Sequence, residues 1–219
     1  MTPVDVEIWS DIACPWCYVG KRRFEAALAS FEHRNEVSVR WRSFELDPGA
    51  PRTREGDGAD HLAHKYGLSR EQALAMQANM TAVAAAEGLE LRFDIARGGN
   101  TFDAHRLVQL AAAHRRQDEM QARLFRAYFS EGVAIGDPTA LEPLAIEVGL
   151  PAAEVGDVLL TERYAEEVRA DERDATELGI TAVPFFAVDR AIGVAGAHPP
   201  DLLRKVLLKG WEASAVGLP

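Results

Sequence analysis

Cysteine is nearly absent from this chain: 219 residues hold two, Cys14 and Cys17. A pair this close cannot staple a fold, because the stabilisation from a cross-link grows with the loop it closes. The two thiols are therefore expected to be reactive or metal-binding rather than structural. A zinc centre would need two further ligands, and neither a second Cys-x-x-Cys nor a paired-histidine motif is present, so no metal is expected. Long apolar runs are missing too, which excludes a membrane-spanning helix. Positive charge is in deficit: the formal net charge is −10, and such a chain has no field-driven attraction for nucleic acid or an anionic membrane. The segment Met1–Glu7 shows no basic stretch followed by an apolar one, so no secretory leader is expected and the chain is read as cytoplasmic.

The length suffices for one full core, or for a domain carrying an insertion. Val4, Val6 and Ile8 alternate with Asp5 and Glu7 and predict a strand, which stops at Ser10-Asp11. A helix is expected from the Cys14 region, with Pro15 tolerated in its first turn and an apolar stripe of Val19, Phe24, Ala27, Leu28 and Phe31. Val37, Val39 and Trp41 predict a second strand. Residues 48–60 read as an exposed loop, and the pattern is helical from Asp60 to about Leu150. Ser69 with Gln72 fits a capping box, while Leu107, Leu110, Ala111, Met120, Leu124 and Phe125 have the spacing of core positions. Pro151 opens a helical stretch expected to reach Glu177. Gly179–Val188 predicts a strand entered through Pro184, Asp189-Arg190 a turn, Ile192–Ala195 a short strand, and Leu202–Leu208 a terminal helix. Removing the helical block leaves an α/β unit, residues 1–47 and 151–219, interrupted by an insert over 48–150. The strand–helix–strand start favours a sheet containing a parallel pair.

The chemistry centres on Cys14. A strand-to-helix junction offers free N–H groups and a positive dipole end, which favour a thiolate, the attacking species in disulfide exchange. Cys17 follows one turn later, close enough to attack a mixed disulfide at Cys14. Two inert buried cysteines are the alternative reading. Trp16, between them, is expected to be partly exposed as an apolar contact for substrate.

The run Asp11-Ile12-Ala13-Cys14-Pro15-Trp16-Cys17-Tyr18-Val19-Gly20 resembles the DsbA-like oxidoreductases, and within them the FrnE branch. Asn100-Thr101-Phe102-Asp103-Ala104-His105-Arg106 is similar to that branch as well, and so is Ile180-Thr181-Ala182-Val183-Pro184-Phe185-Phe186 followed by Gly196-Ala197-His198. The resemblance covers essentially the whole chain. It implies a thioredoxin fold with a large inserted helical domain, a cis Pro184 facing the cysteines, and a Val183 backbone open to an extended substrate. Asn100 and His105 become candidate substrate-groove residues, against the alternatives of a turn asparagine and a packed histidine.

Some positions depart from the best-known relatives. Ile8 stands where many thioredoxin-like proteins carry a buried acid. Asp11 is the nearest acid before the pair, either relaying a proton to Cys17 or capping the loop. Trp16 replaces the histidine of DsbA. These two changes act in opposite senses and place the expected reduction potential between about −250 and −150 mV, between thioredoxin and DsbA. The resemblance implies thiol–disulfide exchange on protein or small-molecule thiols, with no cofactor beyond a low-molecular-weight thiol such as glutathione as co-substrate. Hydroxychromene carboxylate isomerases and kappa-class glutathione transferases share the architecture and supply the rival reading, a glutathione-dependent isomerase or transferase. Those families carry serine at the position of Cys14. An accessory role in a polyketide pathway is the third. A homodimer is left open.

Overall fold

The computed structural model describes residues 4–54 and 56–216. Met1–Pro3, the start of the Met1–Glu7 segment on which the expectation of no leader rests, and the last three residues lie outside the described part. The chain divides into two compact units, Met1–Phe44 with Val168–Pro219, and Glu45–Glu167.

The first unit is a four-stranded sheet in the order β2-β1-β3-β4. β1 (Val4–Ser10) leads through α1 (Pro15–Ala29) to β2 (Val37–Ser43), and the two strands run parallel from the Val4–Val37 pair to Ser10–Ser43. The crossover helix makes this parallel pairing possible. β3 (Phe185–Val188) lies antiparallel to β1, pairing Trp9 with Phe185 and Ile8 with Phe186. β3 is shorter than the sequence implies because Pro184 has no N–H to give to a ladder. Asp189 and Arg190, both at positive φ, turn the chain into β4 (Ile192–Ala195), the hairpin geometry that suits the sheet's twist. α9 (Pro200–Val216) packs on α1, β1 and β3. Gly210 permits this approach, since a Cβ there would lie 2.3 Å from Val188 Cγ1.

An ion cluster, buried at Asp171, nearly so at Arg42 and open to solvent at Arg190, ties this unit together. Arg42 Nη1 donates to Asp171 Oδ1 at 2.6 Å, and the other Asp171 oxygen accepts from Ser43 N at 2.9 Å. Arg42 also bonds Glu7, whose second partner is Arg190. Burial, the largest influence on Glu7, pushes its carboxyl up, but the bonds from Arg190 and Arg42 outweigh it and hold the carboxyl below its ordinary value. Trp9 Nε1 completes the tie by donating to the Asp171 carbonyl at 2.9 Å.

The second unit holds α2 (Gly58–Tyr66), α3 (Arg70–Ala86), α4 (Phe102–Ala113), α5 (Gln117–Phe129), α6 (Pro138–Glu147) and α7 (Ala152–Leu160). The capping box of Ser69 and Gln72 opens α3. Leu107, Leu110, Ala111, Met120, Leu124 and Phe125 are all fully buried. The helical stretch after Pro151 is two helices rather than one. It breaks at Thr161, which is extended, and at Tyr164, at φ 65°, before α8 (Ala165–Glu177) begins. α7 packs on α4 and α6, so contacts group it with the helices rather than with the sheet.

Candidate active site

The site is assembled where β1 ends. Cys14 is the N-cap of α1, with Pro15 at the first helical position, and its carbonyl accepts from Cys17 N at 3.0 Å and Tyr18 N at 3.3 Å. No side chain caps this helix and no acid sits in its first turn. The positive end of the helix is thus left to the Cys14 sulfur. Cys14 keeps 5% of its surface and Cys17 none. Both are free thiols.

The two sulfurs differ in environment. Burial, foremost, and then the hydrogen bond and charge of Cys14 push the Cys17 thiol well above its ordinary pKa, against the opposing Asp11 backbone and Ser10 hydroxyl. Cys17 is therefore a neutral proton holder at physiological pH. Cys14, at the helix end, is the less buried of the two, and a thiolate there would accept a hydrogen bond from Cys17.

The segment before β3 supplies the facing wall. The Val183–Pro184 peptide bond is cis, and Cys14 Sγ lies 3.7 Å from the Val183 carbonyl oxygen. Pro184 is buried, and its carbonyl accepts from Gly196 N at 2.7 Å. Val183 packs on a small core of Trp9, Ala175, Ile180 and Ala187. Trp16 is 43% exposed on the first turn of α1. Asp11 is buried, and its carboxylate accepts from Ala13 N at 3.2 Å, the contact of a loop cap.

Cys14, Cys17, Val183 and Pro184 thus lie together, with Trp16 on the same helix turn. Asn100 and His105 belong to the other unit. Asn100 donates to Glu45 Oε1 at 3.2 Å and to the Pro48 carbonyl, and accepts from Phe102 N at 2.8 Å. His105 is buried within α4, 1% exposed. Two residues of the site carried no role in the sequence reading. Ser10 had been only a strand end, but it is buried with its hydroxyl on Cys17. Gly20 is needed because a Cβ there would fall 2.7 Å from Pro184 Cγ. Its signal was available, since it follows Cys17 by three and so shares its helix face.

Residues 5–208 match the model of the DSBA-like thioredoxin domain. The chain belongs to this family. As a DsbA-like protein it is a disulfide oxidoreductase, and the thiol pair at the helix end is the part of the fold suited to that chemistry. A crystal structure of a probable DsbA oxidoreductase from Streptomyces coelicolor is similar at 49% identity and a TM-score of 0.91, over 95% of this chain and 90% of that one. The uncharacterized protein YwbO of Bacillus subtilis is 30% identical over 93% of this chain and 96% of its own length. The cytosolic disulfide reductase DsbM from Pseudomonas aeruginosa, solved with GSH, shares the fold at 22% identity and a TM-score of 0.67, over 95% of this chain and 99% of that one. Among the described residues, no helix is long and apolar enough to cross a membrane.

Proposed function

We propose that this DsbA-like chain of the FrnE branch acts in the cytoplasm as a dithiol reductase or isomerase of protein or small-molecule disulfides, with a low-molecular-weight thiol such as glutathione restoring the dithiol. The Cys14 thiolate attacks one sulfur of a substrate disulfide. A bond forms between that sulfur and Cys14, and the other substrate sulfur leaves as a thiolate. Cys17 then gives up its proton and attacks Cys14 Sγ, closing the Cys14–Cys17 disulfide and releasing the second substrate thiol. Two electrons pass from the enzyme to the substrate. Two molecules of the small thiol return them, leaving as their own disulfide. Val183 offers backbone beside the sulfur for an extended substrate, and Trp16 offers an exposed apolar surface.

The observation that carries this reading is the asymmetry of the pair: Cys14 at an uncapped helix end and Cys17 sealed behind it with its thiol pushed up. DsbM, solved with GSH, supports a small thiol as co-substrate. A structure of 2-hydroxychromene-2-carboxylate isomerase shares the fold at 14% identity and keeps a glutathione-dependent isomerase as the second reading, which leaves Cys17 without a task. Insulin reduction in the presence of glutathione, set against glutathione conjugation of an electrophile, separates the two. Reduction that needs both cysteines supports the proposal, and conjugation that survives Cys17→Ser overturns it.

A further inference from the structure

The helical unit contains a cavity of about 280 Å³ between the first turns of α4, the loop at Arg52 and the chain after α7. Its inner wall includes Arg106, which is 3% exposed. Its Nη1 donates to the Thr161 carbonyl at 2.5 Å, and the Phe102 ring lies 5.7 Å from its central carbon. Nε and Nη2 are buried, with no hydrogen-bond partner among the described residues. These two nitrogens form one edge of the planar group, the edge that takes the two oxygens of a carboxylate or phosphate in parallel bonds. Buried donors on a cation that find no acceptor are costly, so such a group calls for an explanation.

The nearest protein acid does not fill the fork. Asp103 Oδ1 stands 3.6 Å from Arg106 Nε, and Oδ2 stands 3.8 Å from Arg52 Nη2, both beyond hydrogen-bond length. Asp103 balances charge and leaves the donors open. Arg52 supplies the second cation, and its side chain is 70% exposed, so the cavity opens to the surface there. Its backbone is held firmly. Asn100 N donates to the Pro51 carbonyl at 2.9 Å, and Arg54 N donates to the Gly98 carbonyl at 2.8 Å. The Arg52 carbonyl fits a slot where a Cβ on Gly99 or Gly136 would fall 2.2 or 1.8 Å away. The two glycines are therefore required for the loop to lie where it does.

We propose that this cavity binds a small oxyanion, a carboxylate or a phosphate, gripped by Nε and Nη2 of Arg106 with Arg52 reaching over it. Asp103 and exposed Glu162 also line the space, so the lining is balanced in formal charge. Recognition then rests on the geometry of the fork, which favours paired oxygens over a spherical anion such as chloride. All of these residues belong to the helical unit, and the inference stands whether or not the dithiol reading does.

The test follows the arginine Nε–Hε resonances of the ¹⁵N-labelled full chain, titrated at constant ionic strength with sodium acetate, inorganic phosphate or sodium chloride. The Arg106 signal is identified by its loss in Arg106→Lys. A saturable shift of that signal with acetate or phosphate, and none with chloride, is the expected result, and the anion that saturates names the source. Arg52→Ala, a change at an exposed side chain, keeps the fold and should weaken the binding about three- to fivefold, as for an exposed charge. No saturable shift with either oxyanion, or an equal response to chloride, would overturn the proposal. Should Arg106→Lys fail to fold, crystals of the unaltered chain soaked separately in acetate and in phosphate decide, with density in the fork from either anion supporting the site and an empty fork in both refuting it.

Discussion

In the sheet-bearing unit the working groups are placed mainly by backbone. Cys14 is set by the start of a helix, the Val183 carbonyl faces it, and Gly20 makes room for Pro184. In the helical unit the polar groups are placed by other side chains and by distant loops. Asn100 ties Glu45 and Pro48 to the start of α4, and Arg106 reaches from α4 to Thr161. A backbone-built site depends on a few residues close in sequence, so it tolerates little change at those positions. A side-chain-built site spreads its dependence over many contacts, and each loss is smaller.

The sharpest way to break this comparison is Cys14→Ser. It should lower disulfide reduction by about a thousandfold or more, because the nucleophile itself is gone. An insulin-reduction assay measures it, and retention of most activity would remove the sheet-bearing unit from the chemistry.

Arg42→Ala comes next, as a stability change. It leaves buried Asp171 without its cation and Glu7 with Arg190 alone, and breaking a buried pair costs about 3 to 5 kcal/mol. Thermal unfolding should show it. Because Glu7 is held below its ordinary pKa, its contribution is present above about pH 4 and disappears as pH falls through the lowered value. The gap between Arg42→Ala and the unaltered chain should therefore narrow in acid. A gap that widens in acid would mean that the Glu7 carboxylate is not what Arg42 stabilises.

Gly20→Ala tests the backbone argument by its sign. Helix propensity alone would make alanine stabilising by about 1 kcal/mol. Contact with Pro184 should instead make it destabilising by about 1 to 3 kcal/mol, with slower turnover. Denaturant titration distinguishes the two. The smallest effect is expected from Asn100→Ala, about 1 kcal/mol from lost hydrogen bonds, with turnover within about twofold. A collapse of turnover would give Asn100 a part in substrate binding that its contacts in the helical unit do not suggest.

The same contrast explains what could be read from the sequence. Cys14, Pro15 and Cys17 announce themselves because one short stretch of the chain holds the whole helix-end geometry. The alternation at Val4, Val6 and Ile8 and the capping box at Ser69 are local signals too, and local signals survive in a string of letters. The ion cluster of Glu7, Arg42, Asp171 and Arg190 was not legible, since its members are up to 183 positions apart and each looks like an ordinary surface charge. Nor was the break at Thr161–Tyr164, where no glycine or proline marks the end of a helix. The need for Gly99 was not legible either, since it comes from the close approach of the Arg52 carbonyl on a distant loop.

The central claim is the division of labour between the two sulfurs, and alkylation tests it most directly. Iodoacetamide reaction rates, read by intact mass across pH, are to be compared for Cys14 in Cys17→Ser and for Cys17 in Cys14→Ser. At neutral pH Cys14 should react at least about tenfold faster, since only the thiolate attacks and burial disfavours it at Cys17. The Cys17 rate should rise only in alkaline solution. Equal rates at neutral pH, or a faster Cys17, would contradict the assignment of attacking and resolving thiols.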